Sequence, residues 1–414
     1  MLLQNVNIVN GTGATQQGMD VLIRDGKIAG IKPHSNQDAK SMETRDLKGA
    51  YLMPLMVNGH CHVGLLKGNS TEAVNYTVGN IQRQLEKYLS FGIGTVVSLG
   101  TDREIMLPVR DSSRTGKFPG ATVYSAVYGI SIPGGAPGNG SGANKVMKVS
   151  SAAEARQAVQ KLIPLKPDFV KIWVDDFSGS MPKMSPEIYT AVIDEAHKNK
   201  LRVAAHVWYL ADAKKLASLG VDVLAHSIRD LDVDQELIDK MKAAKTAYIP
   251  TLSLDEYNFI YARQPEWIND PFFKRSLEPG VLDSLTSQAY LDKLKNDPKK
   301  EQKISALKTA QRNLKKLYDA GILVVMGTDS GAQPIRAQGF SEHLELQLMQ
   351  ESGLTPQQVI GIATANGAKH LGIDQQTGTI AEGMRADFIV LKSDPSQNIR
   401  NTRTIMQIWK NGKI

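Results

Sequence analysis

Two histidines separated by one residue, His60-Cys61-His62, close an apolar run that begins at Leu55. In an extended chain residues i and i+2 face the same side, so both imidazoles can converge on one ion while Cys61 points away. Alone, such a pair fits a packed strand end as well as a metal site. Three further residues narrow the choice. His206 ends Val203-Ala204-Ala205-His206, His226 ends Val223-Leu224-Ala225-His226, and Asp329 ends Val325-Met326-Gly327-Thr328-Asp329. Four of the eight histidines thus stand at the C-terminal ends of apolar runs, with a carboxylate at the last. Imidazole and carboxylate together suit zinc, and manganese, iron and cobalt accept the same donors.

Lys171 is the odd residue in Asp168-Phe169-Val170-Lys171-Ile172-Trp173, a run that reads as a buried strand. A lysine there can snorkel, or pair with Asp175 or Asp176. Beside metal ligands it has a second use. A desolvated amine near cations loses its proton more readily, and the neutral amine can add carbon dioxide to form a carbamate. That anion could bridge two cations about 3.5–4 Å apart, as two-metal hydrolases require.

These residues need a scaffold that brings strand ends together. Strand-like runs occur at Leu55–His60, Gly94–Leu99, Thr122–Tyr128, Phe169–Val174, Val203–Val207, Val223–His226, Ala247–Leu252 and Leu323–Gly327. Amphipathic stretches such as Ser151–Leu162 and Pro186–Lys198 separate them. Near-continuous apolar strands alternating with helices predict a parallel α/β sheet covered on both faces; eight units make a (β/α)8 TIM barrel the simplest count, with an open doubly wound sheet as the alternative. Barrel enzymes carry their active sites at the C-terminal strand ends, where the polar residues fall. Both termini read instead as short strands with turns, including Asp25-Gly26 and Asn411-Gly412, and predict a small β-sandwich domain built from the two ends. The expected division is residues 1–53 and 374–414 for that domain and 54–373 for the barrel. A helical insertion over about residues 255–320, broken by prolines, would emerge at the rim as a lid.

Composition narrows the function classes. The chain has 414 residues, 42% hydrophobic and 22% charged, with a net charge of +7. Lys and Arg are interleaved with Asp and Glu, so a nucleic-acid partner is not expected. A single cysteine excludes an intrachain disulfide and cysteine-rich zinc sites. No apolar run spans a bilayer, so no membrane partner is expected, and a cytoplasmic location is the default. A periplasmic or secreted location would follow if a leader had been removed. The expected partner is a small-molecule substrate, and a homo-oligomer stays open. Pro133 to Ala143 is glycine-rich, and Gly138-x-Gly140-x-x-Ala143 formally fits a loose dinucleotide fingerprint. No apolar helix opens on it, so it reads as a mobile active-site loop.

In barrel order, His60, His62, Lys171, His206, His226 and Asp329 resemble the amidohydrolase superfamily, in particular its imidazolonepropionase-like and Xaa-Pro dipeptidase-like branch. Leu52-Met53-Pro54, Gly327-Thr328-Asp329-Ser330 and Gly378-Thr379-Ile380-Ala381-Glu382-Gly383 resemble it too. The resemblance implies two divalent ions, with His60, His62 and Asp329 on one, His206 and His226 on the other, and carbamylated Lys171 between. It also implies amide (C–N) hydrolysis of a small molecule such as a dipeptide or N-acyl amino acid, by a metal-bridging hydroxide whose proton Asp329 accepts. A cyclic-amide hydrolase or a deaminase is the alternative within the superfamily, and an inactive barrel scaffold the alternative outside enzymes. Leu55 and Asn58 depart from the family pattern, as does Val207-Trp208-Tyr209 after His206. Tyr128, Tyr209, Arg229 and His343 are the candidate substrate contacts near the rim.

Overall fold

The computed structural model describes residues 1–11, 13–35, 42–138 and 145–414. Four N-terminal strands, β1 (Leu2–Ile8), β2 (Gln16–Arg24), β3 (Lys27–Pro33) and β4 (Thr44–Pro54), are followed by β5 (Met56–Cys61) and a short hairpin, β6 (Leu66–Lys67) and β7 (Ser70–Thr71). Next come β8 (Ile93–Ser98), β9 (Thr122–Ser125), β10 (Ile130–Ser131), β11 (Met147–Lys148), β12 (Val170–Val174), β13 (Val203–Val207), β14 (Val223–Ala225) and β15 (Ala247–Ile249). The C-terminal strands are β16 (Phe388–Leu391) and β17 (Ile405–Trp409).

The two ends of the chain meet in one six-stranded sheet of order β17-β16-β4-β1-β2-β3. Asp25 and Gly26, both at positive φ, turn β2 into β3 as the Asp-Gly pair predicts. Phe388 stacks on Trp409 with ring centroids 5.6 Å apart, joining the last two strands over a core that includes Leu3, Val6 and Leu52. The sheet drawn from both termini is therefore present. Among the described residues it is a single mixed sheet.

Between the ends the fold is parallel α/β. β5, β8 and β9 form one parallel sheet, and β11-β10-β12-β13-β14-β15 another. Helices follow the strands, for example Val78–Ser90, Ala152–Leu162, Pro186–Lys198 and Gln235–Ala244. Side chains of Thr77, Ser151 and Asp234 cap three of them by accepting a backbone N–H. Every residue of β5, β8, β12 and β13 is buried, as strands covered on both faces must be. Successive side chains divide between two cores. Val170, Ile172 and Val174 pack outward against helices, whereas Val57, Val97, Ala204, Val223, Ile249 and Val325 form a separate cluster on the other face.

Several strand boundaries differ from the sequence reading, the third, seventh and eighth most. The seventh, read to Leu252, ends at Ile249, because Thr251 takes φ 51° and a helix starts at Leu252. The third run ends at Ser125, because Val127 takes φ 55° and turns the chain. Asp168 then continues the pairing, its N–H donating to the Ser125 carbonyl at 2.9 Å. The eighth run, residues 323–327, forms no continuous strand. Val325 N–H donates to the Tyr248 carbonyl of β15 (2.9 Å), while the Met326 carbonyl accepts Gly59 N–H of β5 (2.8 Å). The segment thus serves two neighbours through few bonds each. Residues beyond β15 are helical, from Leu252–Glu256 to the long Lys300–Asp319 helix. No helix among the described residues is long and apolar enough to cross a membrane.

Gly327 permits the close approach of that segment to β5. A Cβ there would lie 2.4 Å from Ile249 Cγ2 and 3.1 Å from both Cβ and N of His60. Gly327→Ala is expected to cost about 1–3 kcal/mol of stability through overpacking, read as a lower urea midpoint with an unchanged slope. An unchanged midpoint would show that the segment has room to move.

Candidate metal centre

His60 lies in β5 and His62 just beyond it; both are buried and Cys61 packs the other way, into the helix-facing core. His206 lies in β13, His226 directly after β14, and Asp329 two residues past the 323–327 segment. The structure brings all five together. His60 and His226 ring centroids are 4.6 Å apart, His206 and His226 4.2 Å, and His60 and His62 5.7 Å. Asp329 Oδ1 is 2.9 Å from His62 Nε2 and 3.3 Å from His60 Nε2. Ligating atoms of His60, His226 and Asp329 all lie within 4.8 Å of one another.

Backbone strain sets these directions. His226 (φ 75°) and Asp329 (φ 57°) both adopt the left-handed region, which costs a non-glycine residue free energy and concentrates at functional sites. Two bonds hold Asp329 there: its own N–H and that of Thr328 both donate to the His60 carbonyl, at 2.9 and 3.0 Å. Gly331 (φ +83°) completes the turn where a Cβ would meet the His62 carbonyl at 2.2 Å.

Partners outside the cluster orient the rings. His62 Nδ1 is 2.7 Å from Thr101 Oγ1, His226 Nδ1 is 2.9 Å from Thr251 Oγ1, and His206 Nε2 is 2.9 Å from Asp175 Oδ2. The fully buried Glu342 ties the two halves of the cluster. Its Oε1 accepts from Asn58 Nδ2 (2.6 Å), Thr328 Oγ1 (2.8 Å) and Ser330 Oγ (2.8 Å), and its Oε2 from Gly339 N–H (2.7 Å). Asn58 in turn accepts the His60 N–H at 2.9 Å. The amide at position 58 is thereby explained, since a carboxylate there would face Glu342.

Lys171 shares the inward face of β12 with Trp173 and is fully buried. Its Nζ has no hydrogen-bond partner among the described residues, although it lies 5.4 Å from the centre of the Trp173 ring. The ion pair with Asp175 or Asp176 is absent: Asp175 takes His206, and Asp176 takes Tyr209 and Lys183. Burial pulls the Lys171 ammonium down to about 7. Burial, with Lys171 nearby, also takes His60 down to about 3, and burial lowers His206 and His226. Those three rings are neutral at neutral pH, the form that ligates metal. Burial alone would raise the Asp329 carboxyl, but the Arg336 guanidinium and the His62 and His60 rings hold it well below the usual carboxylate range. Neutral imidazoles, an ionised carboxylate, an unpartnered His60 Nδ1 and an unpartnered amine are a donor set that fits divalent cations.

The cluster opens into a cavity of ≈ 210 Å³ whose walls include Leu65, Trp173, Phe177 and Leu254. Of the candidate substrate contacts, Arg229 lines it. The other three do not. Tyr128 donates its hydroxyl to Glu104 (3.0 Å) and Tyr209 to Asp176 (2.7 Å), so both phenols are engaged beside the rim. His343 is a plain correction: the Phe340–Glu351 helix turns it away, with Nδ1 2.9 Å from Thr402 Oγ1 and Nε2 2.9 Å from the Phe91 carbonyl. Pro137 lines the cavity, while residues 139–143 of the glycine-rich stretch fall outside the described residues. Sequence reasoning missed Thr101, Thr251, Arg336 and Glu342. It met Asp175 only as a partner for Lys171, although the strand-end rule that found His206 applies to it directly.

An α/β protein whose strand ends converge on a cluster able to hold a metal ion is a recognisable class. The match is specific: residues 51–414 fit the amidohydrolase family, and the chain belongs to it. Ochratoxinase of Aspergillus niger is 27% identical over 284 residues, covering 66% of this chain and 51% of that protein. The chain thus spans about half the length of these curated relatives. The 5′-deoxyadenosine deaminase of Methanosarcina mazei is 23% identical over 387 residues, 90% of this chain and 79% of that protein. A solved Xaa-Pro dipeptidase, with methionine bound in its active site, superposes with a TM-score of 0.77 at 23% identity over 99% of this chain and 98% of its own. At that identity the likeness establishes the fold.

Lys171 generates a prediction with a definite sign. Its folded value of about 7 lies below the ordinary 10.5, so the unfolded chain holds this proton more tightly. Stability of the metal-free protein should therefore rise from about pH 7 to 10.5 relative to Lys171→Met, and the difference should be flat below pH 7. Urea midpoints across that range measure it; parallel curves for the two proteins would contradict a desolvated amine.

Proposed function

We propose that the protein is a metal-dependent amidohydrolase that cleaves a C–N bond of a small molecule, with dipeptides and N-acyl amino acids as the first substrate class. One observation carries the reading: neutral imidazoles and the Asp329 carboxylate converge beside an amine that has no hydrogen-bond partner among the described residues. His60, His62 and Asp329 would hold one divalent ion, His206 and His226 a second, with Lys171 as its carbamate between them and zinc the best-suited metal. Such ions, when bound, lower the pKa of water and polarise a carbonyl.

The chain's own residues supply the rest. Thr101, Asp175 and Thr251 fix the rings of His62, His206 and His226. Asp329 is the acceptor for the proton that water loses and the donor to the leaving nitrogen. The cavity is smaller than a drug-sized pocket and partly apolar, which suits a compact substrate and limits water at the reacting bond.

The reading includes a closed (β/α)8 barrel over residues 54–373, with 1–53 and 374–414 as the small domain. Its support is a ring of hydrogen bonds: Asp168 to Ser125 links β9 to β12, and residues 323–326 link β15 to β5. A deaminase is the second reading, favoured by the long alignment with 5′-deoxyadenosine deaminase.

Three measurements test this. Metal content is expected to fall in Lys171→Ala by about one ion per chain, as loss of a bridging ligand requires, and bicarbonate should raise it only in the wild type. Equal metal and equal turnover in both would overturn the bridging role. A screen of dipeptides, N-acetyl amino acids, lactones and aminated heterocycles then separates amide hydrolysis from deamination. In Asp329→Asn, turnover of the best substrate should drop about 10²–10⁴-fold; full activity would remove Asp329 from proton transfer.

A further inference from the structure

Asp329 has two carboxylate oxygens with different neighbours. Oδ1 faces His60 and His62, whereas Oδ2 accepts a hydrogen bond from Arg336 Nη1. Arg336 belongs to the turn that follows Asp329, where the Gly331 N–H donates to the Arg336 carbonyl at 3.1 Å. Its guanidinium lines the same cavity as the cluster, and its Nε is buried without a hydrogen-bond partner among the described residues.

Arg229 provides a contrast. It also lines the cavity, but Nη1 is committed to the buried Asp255 carboxylate at 3.2 Å, and its face lies over Trp208 at 4.2 Å. Arg229 is held by groups that have no other duty in the site. Arg336 is held by the one carboxylate whose duty is proton transfer. An oxygen clasped by a guanidinium is a poor place to put a proton, because protonation forfeits a charge-assisted hydrogen bond.

We propose that Arg336 reads the substrate: its guanidinium leaves Asp329 for a carboxylate on the leaving amine, and the exchange frees Oδ2 to accept the proton of the attacking water. This rests on the hydrolytic reading above. The exchange swaps one carboxylate for another, so Arg336 keeps an anionic partner throughout and its planar fork suits either. The reaction balances without a further reagent. Water oxygen bonds to the carbonyl carbon, its proton passes to Oδ2, and that proton reaches the amine nitrogen as the C–N bond breaks. Reach sets the position of the anion. Arg336 touches Asp329 directly, so its new partner must lie next to the scissile bond, as the α-carboxylate of a leaving amino acid does. A neutral substrate of the same shape offers Arg336 nothing, and Oδ2 stays engaged.

The test compares the best N-acyl amino acid with its carboxamide, using metal-loaded wild type, Arg336→Gln and Arg336→Lys. Binding is read separately by calorimetry, with an N-alkyl amino acid whose methylene replaces the scissile carbonyl. The wild type is expected to prefer the carboxylate by about 10- to 100-fold in kcat/KM, the range for a hydrogen bond to a charged group. Arg336→Gln should lose that factor on the carboxylate and on N-alkyl amino acid binding, while the carboxamide gains. Arg336→Lys should fall between, as a point charge without the fork. Hydrolysis with equal preference in wild type and Arg336→Gln, together with unchanged binding, overturns the exchange and leaves the hydrolase reading intact. Arg336-dependent binding with no turnover of any amide sinks the hydrolase reading instead. Selectivity lost only in variant chains that have also lost metal overturns the assignment to Arg336.

Discussion

The site depends on one junction of main chain. The segment after the Lys300–Asp319 helix runs back against β5, and the His60 carbonyl receives the N–H groups of both Thr328 and Asp329. Asp329 is a short side chain and cannot reach far. It meets His60 and His62 because its backbone is brought to theirs and bent into a left-handed turn. Glu342 fastens the same junction from beneath, gathering Asn58, Thr328 and Ser330 on one oxygen. Four hydrogen bonds offset much of the cost of burying that carboxylate, and they leave it little freedom to serve any other purpose.

Charge is arranged around the junction with equal economy. Among the cluster's inward-facing groups, Asp329 is the carboxylate, while His60, His206 and His226 are kept neutral by burial. Lys171 shares their enclosure and is likewise driven toward its neutral form. A site lined by neutral donors and one anion favours an incoming cation without holding several like charges in contact. One layer out, Asp175 pairs with the His206 ring, and Arg336 supplies the counter-charge to Asp329.

Much of this was legible in the residues, and for an identifiable reason. Strand alternation forces His60 and His62 to one side, and placing a polar residue after each apolar run located His206, His226 and Asp329. Lys171 stood out because a cation inside an apolar strand has few acceptable fates. What escaped were the residues that orient the ligands. Thr101, Thr251 and Glu342 sit in loops or on a helix and are 39, 25 and 14 residues from partners such as His62, His226 and Thr328. No periodicity connects such pairs. His343 misled because proximity to the rim in sequence says nothing about helix phase, and its turn of helix points toward Phe91 and Thr402. The eighth run misled in a smaller way, since Val324, Val325 and Met326 are buried as expected but its bonds are shared between two neighbours.

Cys61, the single cysteine, lies between His60 and His62 at the end of β5 yet faces the opposite core, fully enclosed, with burial pushing its thiol well above the ordinary range. It is chemically silent while that strand is in place, because the thiolate is the reactive form. The protein therefore carries an intrinsic reporter at its most consequential position. The rate at which a thiol reagent labels it reads how often the ligand-bearing strand opens, separately from fraying at the edges of the terminal sheet.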